Sequence, residues 1–405
     1  MKKSTRTLVL ASSFAMTLSL AACNSATADA SSLKVGLILL HPAASSTYDK
    51  NFYDAMVSAK EKLGFTLVVK ENINEDGTCE TTAKEMAEDG CDIVFADSFG
   101  HEDFLIQAAK AYPDVEFCHA TGTKAATVNN DPTAPVKNFH NAFASIYEGR
   151  FLAGVVAGQK MAEDIAAGKY TAEQAKIGYV GAHPYAEVIS GFTSFYLGAR
   201  SVVPSVTMDV VYTNSWYDYD AEFAKASALI ESGAKLISQH ADSYGAPKAC
   251  EDAGIPNVAY NGATDSAAPN TYLVSSKIDW QPYYEHIIDC VLNEKEISSD
   301  YVGTVETGSV QLTKYGTSVS EEAKSKVADA KAKLANGTLH VFDATKFTVN
   351  GGQTPTNENM APNKTWTFNY PDGTDFMKDG YYHESYYRSA PSFDVIIDGI
   401  NSIVE

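Results

Sequence analysis

The stretch YEGRFLAGVVAGQKMAEDIAAGKYTAEQAKIGYVGAHP, from Tyr147 to Pro184, combines two patterns. Phe151–Met161 is apolar and rich in Gly and Ala, with the length of a helix, and Ile177–Gly181 is a short β-type run. Small residues such as Gly154 and Gly158 predict that this helix lies close to a sheet. A helix followed by a strand that ends in a turn is typical of α/β proteins, whose ligands bind outside the carboxyl ends of the strands.

The same alternation continues on both sides of this stretch, and the chain of 405 residues is long enough for two domains. It predicts two tandem α/β units, each a parallel sheet flanked by helices. We expect lobe 1 over residues 33–145, lobe 2 over 146–272, and return segments that complete both lobes over 273–405 together with an irregular Tyr-, Asn- and Gly-rich tail. Within that tail, Phe393–Val404 is predicted to form a final helix.

The N-terminus has the pattern of a targeting segment. A positive start with Lys2, Lys3 and Arg6 precedes an apolar run, Leu8–Ala22, that is too short to span a bilayer. The run ends in Leu-Ala-Ala-Cys, which matches the bacterial lipobox, so cleavage is expected to leave Cys23 as a lipidated N-terminus. Residues 1–23 are thus predicted as a lipoprotein signal peptide and 24–32 as a polar tether. A plain secretory signal with an incidental cysteine is the alternative.

Charge and motif content exclude several classes of function. The formal net charge is −20, and no cluster of Lys and Arg follows the N-terminus, so nucleic acid is not an expected partner. No nucleophile elbow, P-loop or dinucleotide-binding motif is present, and the histidines are isolated. We therefore predict no catalytic residues, no metal site and no cofactor. Five scattered cysteines follow Cys23 without CxxC spacing, and Cys91 and Cys118 are expected to be small core residues.

Polar and aromatic side chains follow the predicted strands where the strands end. Two lobes that each present such an edge form a cleft, and flat aromatics beside carboxylates and amides suit a planar ring with N–H groups and a hydroxylated sugar. About half of these residues are expected to cap helices or stabilise turns instead. The candidates are Tyr48, Asp49, Phe52, Asp97, Ser98, Phe99, Tyr185, Phe192, Trp216, Asp218, His240, Asp242, Asn261, Asp265, Ser275 and Trp280.

Many short motifs recur in an order that resembles the basic membrane protein, or PnrA-like, family, over roughly residues 33 to 345. The motifs are Asp49-Lys50-Asn51-Phe52, AKAYPDVEF at 109–117, YEGRFLAG at 147–154, IGYVG at 177–181, GARSV at 198–202, SWYD at 215–218 and QHADS at 239–243. The resemblance implies a two-lobed type I periplasmic-binding-protein fold. It also implies a substrate-binding lipoprotein of an ABC importer that works with permease and ATPase subunits.

The resemblance further implies a purine nucleobase or nucleoside as ligand. In the family the phenylalanine of the first motif stacks on the base, so Phe52 inherits that role, although a core position for Phe52 is the alternative. Tyr185, Phe192 and Trp216 are candidates for a second aromatic from the other lobe, and Asp97 for the acidic contact to the base. Two departures stand out. Tyr53 replaces a frequent asparagine, and no lysine aligns cleanly after the late Thr-Ser-type strand, which leaves ribose recognition open.

The expected protein is therefore a monomeric, non-catalytic receptor, held to the outer face of the cell membrane by lipid on Cys23. Another flat heterocycle such as riboflavin is the alternative ligand. A surface nucleoside hydrolase is the alternative from a different class, and a purely structural surface lipoprotein or regulator is a third.

Overall fold

The structure, a computed structural model, describes residues 29–362 and 374–403. The predicted signal peptide, Cys23 and most of the tether lie outside the described residues. No helix in the described part of the chain combines the length and the apolar character that a bilayer crossing requires.

Two sheets organise the described residues, and the strands and helices alternate along the chain as predicted. The strands are β1 (Lys34–Ile38), β2 (Thr66–Lys70), β3 (Ile93–Ala96), β4 (Glu116–Ala120), β5 (Phe139–Ala144), β6 (Lys176–Gly181), β7 (Thr207–Tyr212), β8 (Leu236–His240), β9 (Asn257–Tyr260), β10 (Tyr272–Ile278), β11 (Asp300–Gly303), β12 (Val310–Leu312) and β13 (Ile400–Ile403). The helices are α1 (Thr47–Leu63), α2 (Gly77–Glu88), α3 (Glu102–Ala111), α4 (Ala125–Asn129), α5 (Ile146–Ala166), α6 (Ala186–Arg200), α7 (Tyr219–Glu231), α8 (Gly245–Ala253), α9 (Gln281–Leu292) and α10 (Glu321–Ala335).

The first sheet has the strand order β11-β5-β4-β3-β1-β2, and its strand pairs are all parallel. The second has the order β12-β10-β9-β8-β6-β7-β13, with β12 antiparallel to β10 and the other pairs parallel. Strands such as β3 and β8 are buried at every residue, because helices cover both faces of each sheet. This is the expected α/β architecture of two lobes, each a parallel sheet flanked by helices.

The chain passes between the two sheets several times. It leaves the first sheet after β5, returns after β10, contributes β11 to the first sheet and then adds β12 to the second. The carboxyl ends of the parallel strands in the two lobes meet at the cleft between the lobes, which is where the polar loops lie.

The glycines of the opening stretch serve a different contact from the one predicted. A Cβ atom on Gly154 would lie 2.0 Å from the carbonyl oxygen of Phe195, and one on Gly158 would lie 2.5 Å from that of Ala199. Both carbonyls belong to α6. The small residues therefore allow α5 to pack against a neighbouring helix at backbone distance, because a bare Cα leaves room for the carbonyl groups.

The predicted final helix is wrong. Gly399 has a φ of +94°, which ends any helical path, and Ile400–Ile403 forms β13 in parallel register with Met208–Val211 of β7. Phe393 is fully buried against Phe342, with ring centroids 4.2 Å apart. The apolar residues of this run are thus used for sheet pairing and core contacts rather than for one helical face. Val404 lies outside the described residues.

The five cysteines in the described residues are all buried and free. Burial raises the pKa of the Cys79 thiol to about 12, so this thiol is protonated and unreactive at neutral pH. Cys91 and Cys118 pack in apolar clusters, as expected.

Candidate functional site

Two adjoining cavities lie between the lobes at the carboxyl ends of the strands. The space between atoms at the inner cavity, counted out to its mouth, is about 410 Å³. The same space at the outer cavity is about 940 Å³. Four residues line both cavities, which makes them continuous: Phe99, Thr121, Glu187 and Trp216. We call these four residues the neck.

The β1–α1 loop forms one wall of the inner cavity. Ser46 caps α1 by accepting a hydrogen bond from the backbone N–H of Asp49 at 3.2 Å. The Asp49 carboxylate in turn accepts from the backbone N–H of His41 at 2.7 Å. Thr47 reaches across to the second lobe, where its backbone N–H and its hydroxyl both donate to the carbonyl oxygen of Asp242, at 3.2 Å each. These two bonds cross the cleft between the lobes.

Buried carboxyl groups surround the inner cavity. Asp97 is fully buried beside Asp49 and accepts from the backbone N–H of Leu40 at 3.2 Å. Burial, and then the charge of Asp49, raise the pKa of Asp97 well above its usual value. Burial likewise raises the pKa of Asp242, with the charges of Asp49, Glu222 and Glu187 adding to it. The cluster resists further negative charge and favours ligand groups that donate hydrogen bonds.

Aromatic rings form the opposite walls. Tyr185 stacks on His183, with centroids 4.8 Å apart and planes 12° apart, and Trp216 lies edge-on to His183 at 5.1 Å. From the first lobe, Phe99 faces Tyr185 at 6.2 Å across the cleft and is 38% exposed. Such flat faces at the mouth of a cavity suit a planar ligand.

His240 connects the cavity wall to a buried arginine. Its Nε2 lies 3.4 Å from Glu187 Oε1, and its ring packs against Tyr260 with centroids 4.4 Å apart. Behind them Arg150, from the opening stretch, is completely buried and donates to the carbonyl oxygen of Gln239 at 3.0 Å and to the Tyr179 hydroxyl. The pKa of His240 is lowered mainly by burial, with Arg150 adding to the effect and Glu187 opposing it. His240 is therefore a neutral hydrogen-bonding group in this wall.

Thr121 is a strained residue of the neck. Its φ is +68°, in the left-handed region that β-branched residues avoid, and its side chain is 5% exposed. Its backbone N–H donates to the carbonyl oxygen of Ala142 at 2.9 Å. The next residue, Gly122, has no room for a Cβ, which would lie 2.4 Å from Glu102 Oε1. Strain of this kind persists where the surroundings enforce it, commonly at ligand sites.

The structure brings half of the predicted site residues to the two cavities. Those that line a cavity are Tyr48, Asp49, Ser98, Phe99, Tyr185, Trp216, His240 and Asp242. Asp97 lies directly behind this wall, where its backbone carbonyl accepts from the Tyr48 hydroxyl at 2.7 Å. Asn261 also supports the wall, since its amide donates to Asp242 Oδ1 at 3.4 Å.

Phe52 does not line either cavity. It is 2% exposed and stacks on Trp280 in the core of the first lobe, with centroids 4.3 Å apart. Tyr48, one helical turn earlier, stands between Phe52 and the cavity, with its ring centroid 4.9 Å from that of Phe52. The position of Phe52 corresponds to the core alternative, and Trp280 shares that core.

The remaining predicted residues have structural contacts away from the cavity lining. Phe192 is fully buried and packs edge-on against Tyr179. Asp218 caps α7 by accepting from the backbone N–H of Ala221 at 3.0 Å. Asp265 forms an ion pair with Lys314 at 2.7 Å. The Ser275 hydroxyl donates to the carbonyl oxygen of Gly262 at 2.7 Å.

Sequence reasoning missed five residues that line the inner cavity. They are Leu40, His41, Thr121, Glu187 and Tyr260. Each lies at or just after a strand's carboxyl end, or at the start of the following helix, so a strict application of the strand-end rule would have included them. Within the described residues, no group of three or more His, Cys, Asp or Glu side chains could hold a metal ion.

Comparison with known proteins agrees with this geometry. A profile described as "ABC transporter substrate-binding protein PnrA-like" matches residues 33–345. A purine-binding protein of Brucella abortus is 32% identical over 314 residues, which cover 76% of this chain and 83% of that protein. A Haloferax volcanii protein, provisionally named as an ABC transporter glucose-binding protein, is 31% identical over 268 residues, or 66% of this chain and 63% of its own length.

Among solved structures, an ABC transporter solute-binding protein of Conexibacter woesei has the same fold. Its TM-score is 0.61 at 20% sequence identity, covering 76% of this chain and 98% of that one. The predicted two-lobed periplasmic-binding fold and the predicted family are both confirmed. Since the profile match extends over most of the sequence, the chain belongs to the PnrA-like family of ABC transporter substrate-binding proteins.

Proposed function

We propose that this protein binds a purine nucleobase or nucleoside in the cavity between its lobes and presents it to an ABC permease for uptake. Substrate-binding proteins of this family act outside the cytoplasm and work with permease and ATPase subunits. The lobes proposed from the sequence, residues 33–145 and 146–272 with return segments after 273, would close on the ligand by a hinge motion.

The observation that carries the proposal is the combination of flat walls with acidic groups in the inner cavity. Asp49, Asp242 and Glu187 line it together with the rings of Tyr48, Trp216 and other aromatic residues, and none of its described lining residues is lysine or arginine. Carboxylates accept hydrogen bonds from ring N–H and exocyclic amino groups, and aromatic faces stack on the ring.

The same charge argues against a ligand that places an anionic group in the inner cavity. A phosphate would bring negative charge to a cavity where the pKa values of Asp97 and Asp242 are already raised by burial and by neighbouring carboxylates. An uncharged ligand avoids that repulsion. The purine-binding name of the Brucella relative supports the same ligand class.

We further propose a monomeric, non-catalytic protein, anchored to the membrane through lipid on Cys23. The sequence pattern Leu-Ala-Ala-Cys at the end of the apolar run supports the anchor. A nucleoside hydrolase would release ribose from inosine, so an assay for ribose separates the receptor from the enzyme.

Mass spectrometry of small molecules released from the denatured protein gives the most direct test of the ligand. We expect a purine. Calorimetric titration with adenine, guanosine, inosine, riboflavin and glucose then ranks the candidates. Binding of riboflavin or glucose without binding of any purine would overturn the proposal, as would ribose release from inosine.

A matched pair of variants tests the location of the ligand. Asp242→Asn removes a carboxylate from the inner cavity, whereas Asp265→Asn changes a carboxylate paired with Lys314 outside the cavity lining. We expect about a two- to tenfold loss of purine affinity in the first variant, since one hydrogen bond contributes about 0.5–1.5 kcal/mol. The second variant should bind as the wild type does.

A further inference from the structure

The C-terminal segment returns to the cleft after the residues that match the family profile. The profile match ends at residue 345, yet Ala390 and Pro391 line the outer cavity. Both residues are buried. The wall that they form is therefore an addition of this chain's own tail to the cleft.

This wall is attached to the first lobe on one side. Ser389 donates through its backbone N–H and its hydroxyl to the Asp300 carboxylate, at 2.6 and 2.5 Å. Asn141 Nδ2 donates to the Ser389 hydroxyl oxygen at 3.0 Å, and Asn141 Oδ1 accepts from the backbone N–H of Gly122 at 2.7 Å. Asp300 begins β11 and pairs in register with Asn141 of β5. Ser389 is therefore tied to the first sheet beside Gly122, which follows the neck residue Thr121.

On the other side the wall is attached to the second lobe. Within the tail itself, Glu384 Oε2 accepts from the backbone N–H groups of Ser392 and Phe393 and from the Ser392 hydroxyl, at 2.9 Å each, which fixes the backbone just after Pro391. The Phe393 ring is fully buried among Phe342, Phe347 and other residues of the second lobe's core. Ala390 and Pro391 thus lie between two anchors, one on each lobe, and cannot move away from the cavity without breaking one of them.

The outer cavity is where any substituent on a ligand in the inner cavity would extend, because the two cavities share the neck. Its first-lobe side presents Glu102, Thr123 and Lys124. Glu102 Oε1 accepts from the backbone N–H groups of Thr123 and Lys124, and the Lys124 ammonium pairs with Asp103 at 2.6 Å. The remaining sides are Tyr185, Trp216 and the wall of Ala390 and Pro391.

We propose that Ala390 and Pro391 are specificity-determining residues that limit the size of the substituent a bound purine may carry. This inference rests on the proposed purine site in the inner cavity. A free base does not reach the wall, whereas the sugar of a nucleoside fills the space in front of it. Enlarging residue 390 therefore affects nucleosides and spares nucleobases.

The test is a graded series at one position, Ala390→Gly, Ala390→Val and Ala390→Phe, each titrated calorimetrically with adenine and with adenosine. We expect adenine affinity to stay within about twofold of wild type throughout. Adenosine affinity should fall from the glycine to the phenylalanine variant, by about tenfold or more for phenylalanine, because the larger side chain takes the space that the sugar needs. Ala335→Phe, on an exposed position of α10, is the matched control and should change neither affinity.

Melting curves identify any variant that fails to fold, and the glycine and valine variants decide the question if the phenylalanine variant does not fold. Equal losses for adenine and adenosine, or no loss for either, would overturn the role of the wall while leaving the purine site intact. A wild-type protein that binds neither compound would overturn both proposals.

Discussion

At the scale of single residues, the two aromatic side chains Tyr48 and Phe52 show how the site is layered. They lie one helical turn apart on α1, where Tyr48 faces the cavity and Phe52 packs behind it on Trp280. A residue that lines the cavity contributes to affinity, and one that packs behind the lining contributes to stability. The two contributions can be measured separately.

We predict that Phe52→Ala lowers the free energy of unfolding by about 3–5 kcal/mol, because it leaves a cavity in a packed core. The reciprocal variant is Phe99→Ala, at a ring that lines the neck and is 38% exposed. It should keep its stability but lose about 1–3 kcal/mol of purine stacking. Melting curves and calorimetric titrations of both variants check this. A Phe52→Ala protein with unchanged stability and lost purine affinity would show that Phe52 contacts the ligand.

Glu222 predicts a measurable pH dependence of stability. Its Oε1 accepts from the backbone N–H of Ser243 at 3.1 Å beside the cavity, and burial raises its pKa from 4.5 to about 7. The native chain then holds more protons than the unfolded chain between these values, so stability falls as pH rises from about 4.5 to about 7. Glu148, whose pKa burial also raises to about 7, likewise lowers stability as pH rises. His101 and His119, whose pKa values burial lowers to about 4, instead raise stability as pH rises from about 4 to 6.5.

Because these contributions oppose one another, the difference between wild type and Glu222→Gln isolates the effect of Glu222. The variant should gain stability relative to wild type as pH rises, by up to about 3 kcal/mol between pH 4.5 and pH 8. Urea unfolding at a series of pH values measures it. Parallel curves for the two proteins would show that Glu222 titrates normally.

At the scale of secondary structure elements, the packing of α5 depends on its close contact with α6. We predict that Gly154→Ala lowers the free energy of unfolding by about 1–3 kcal/mol, although alanine is the better helix former, because its Cβ would meet the Phe195 carbonyl. Gly77→Ala, at the start of α2 with no atom within 4 Å of the added Cβ, is the control and should be neutral or slightly stabilising. Equal effects in the two variants would contradict the packing argument.

Elements with a local sequence pattern could be predicted from the sequence. Elements that form only through pairing with a distant segment could not. The α5 and β6 elements of the opening stretch follow from composition and periodicity alone. The Ile400–Ile403 strand does not, because it exists through pairing with β7 almost two hundred residues earlier in the chain. The candidate site could also be predicted only in part. The strand-end rule located the cleft, but helical spacing could not tell whether Tyr48 or Phe52 faces it.

At the scale of the whole molecule, the Leu-Ala-Ala-Cys pattern that ends at Cys23 predicts a lipid anchor. We predict that Cys23→Ser blocks lipidation and yields either a released protein or uncleaved precursor. Stable anchoring needs more than one acyl chain, which a lipobox cysteine would provide. Fractionation of cells into membrane and soluble parts, with metabolic labelling by a fatty acid, measures it. Membrane retention equal to wild type, without label, would contradict the anchor.

Thr47 makes two polar contacts between the lobes, both to the Asp242 carbonyl. Thr47→Val keeps the shape of this buried side chain and the backbone hydrogen bond but removes the hydroxyl donor. A ligand that binds only the closed form should then bind more weakly by about 0.5–1.5 kcal/mol, or about two- to tenfold. The proposed hinge motion implies that the free protein is mainly open and lacks this bond, so its melting temperature without ligand should change little. Titration of purines into this variant and into the exposed control Thr207→Val, with small-angle scattering to follow closure, measures the effect. A lowered melting temperature at unchanged affinity would mean that Thr47 stabilises the fold and takes no part in ligand-driven closure.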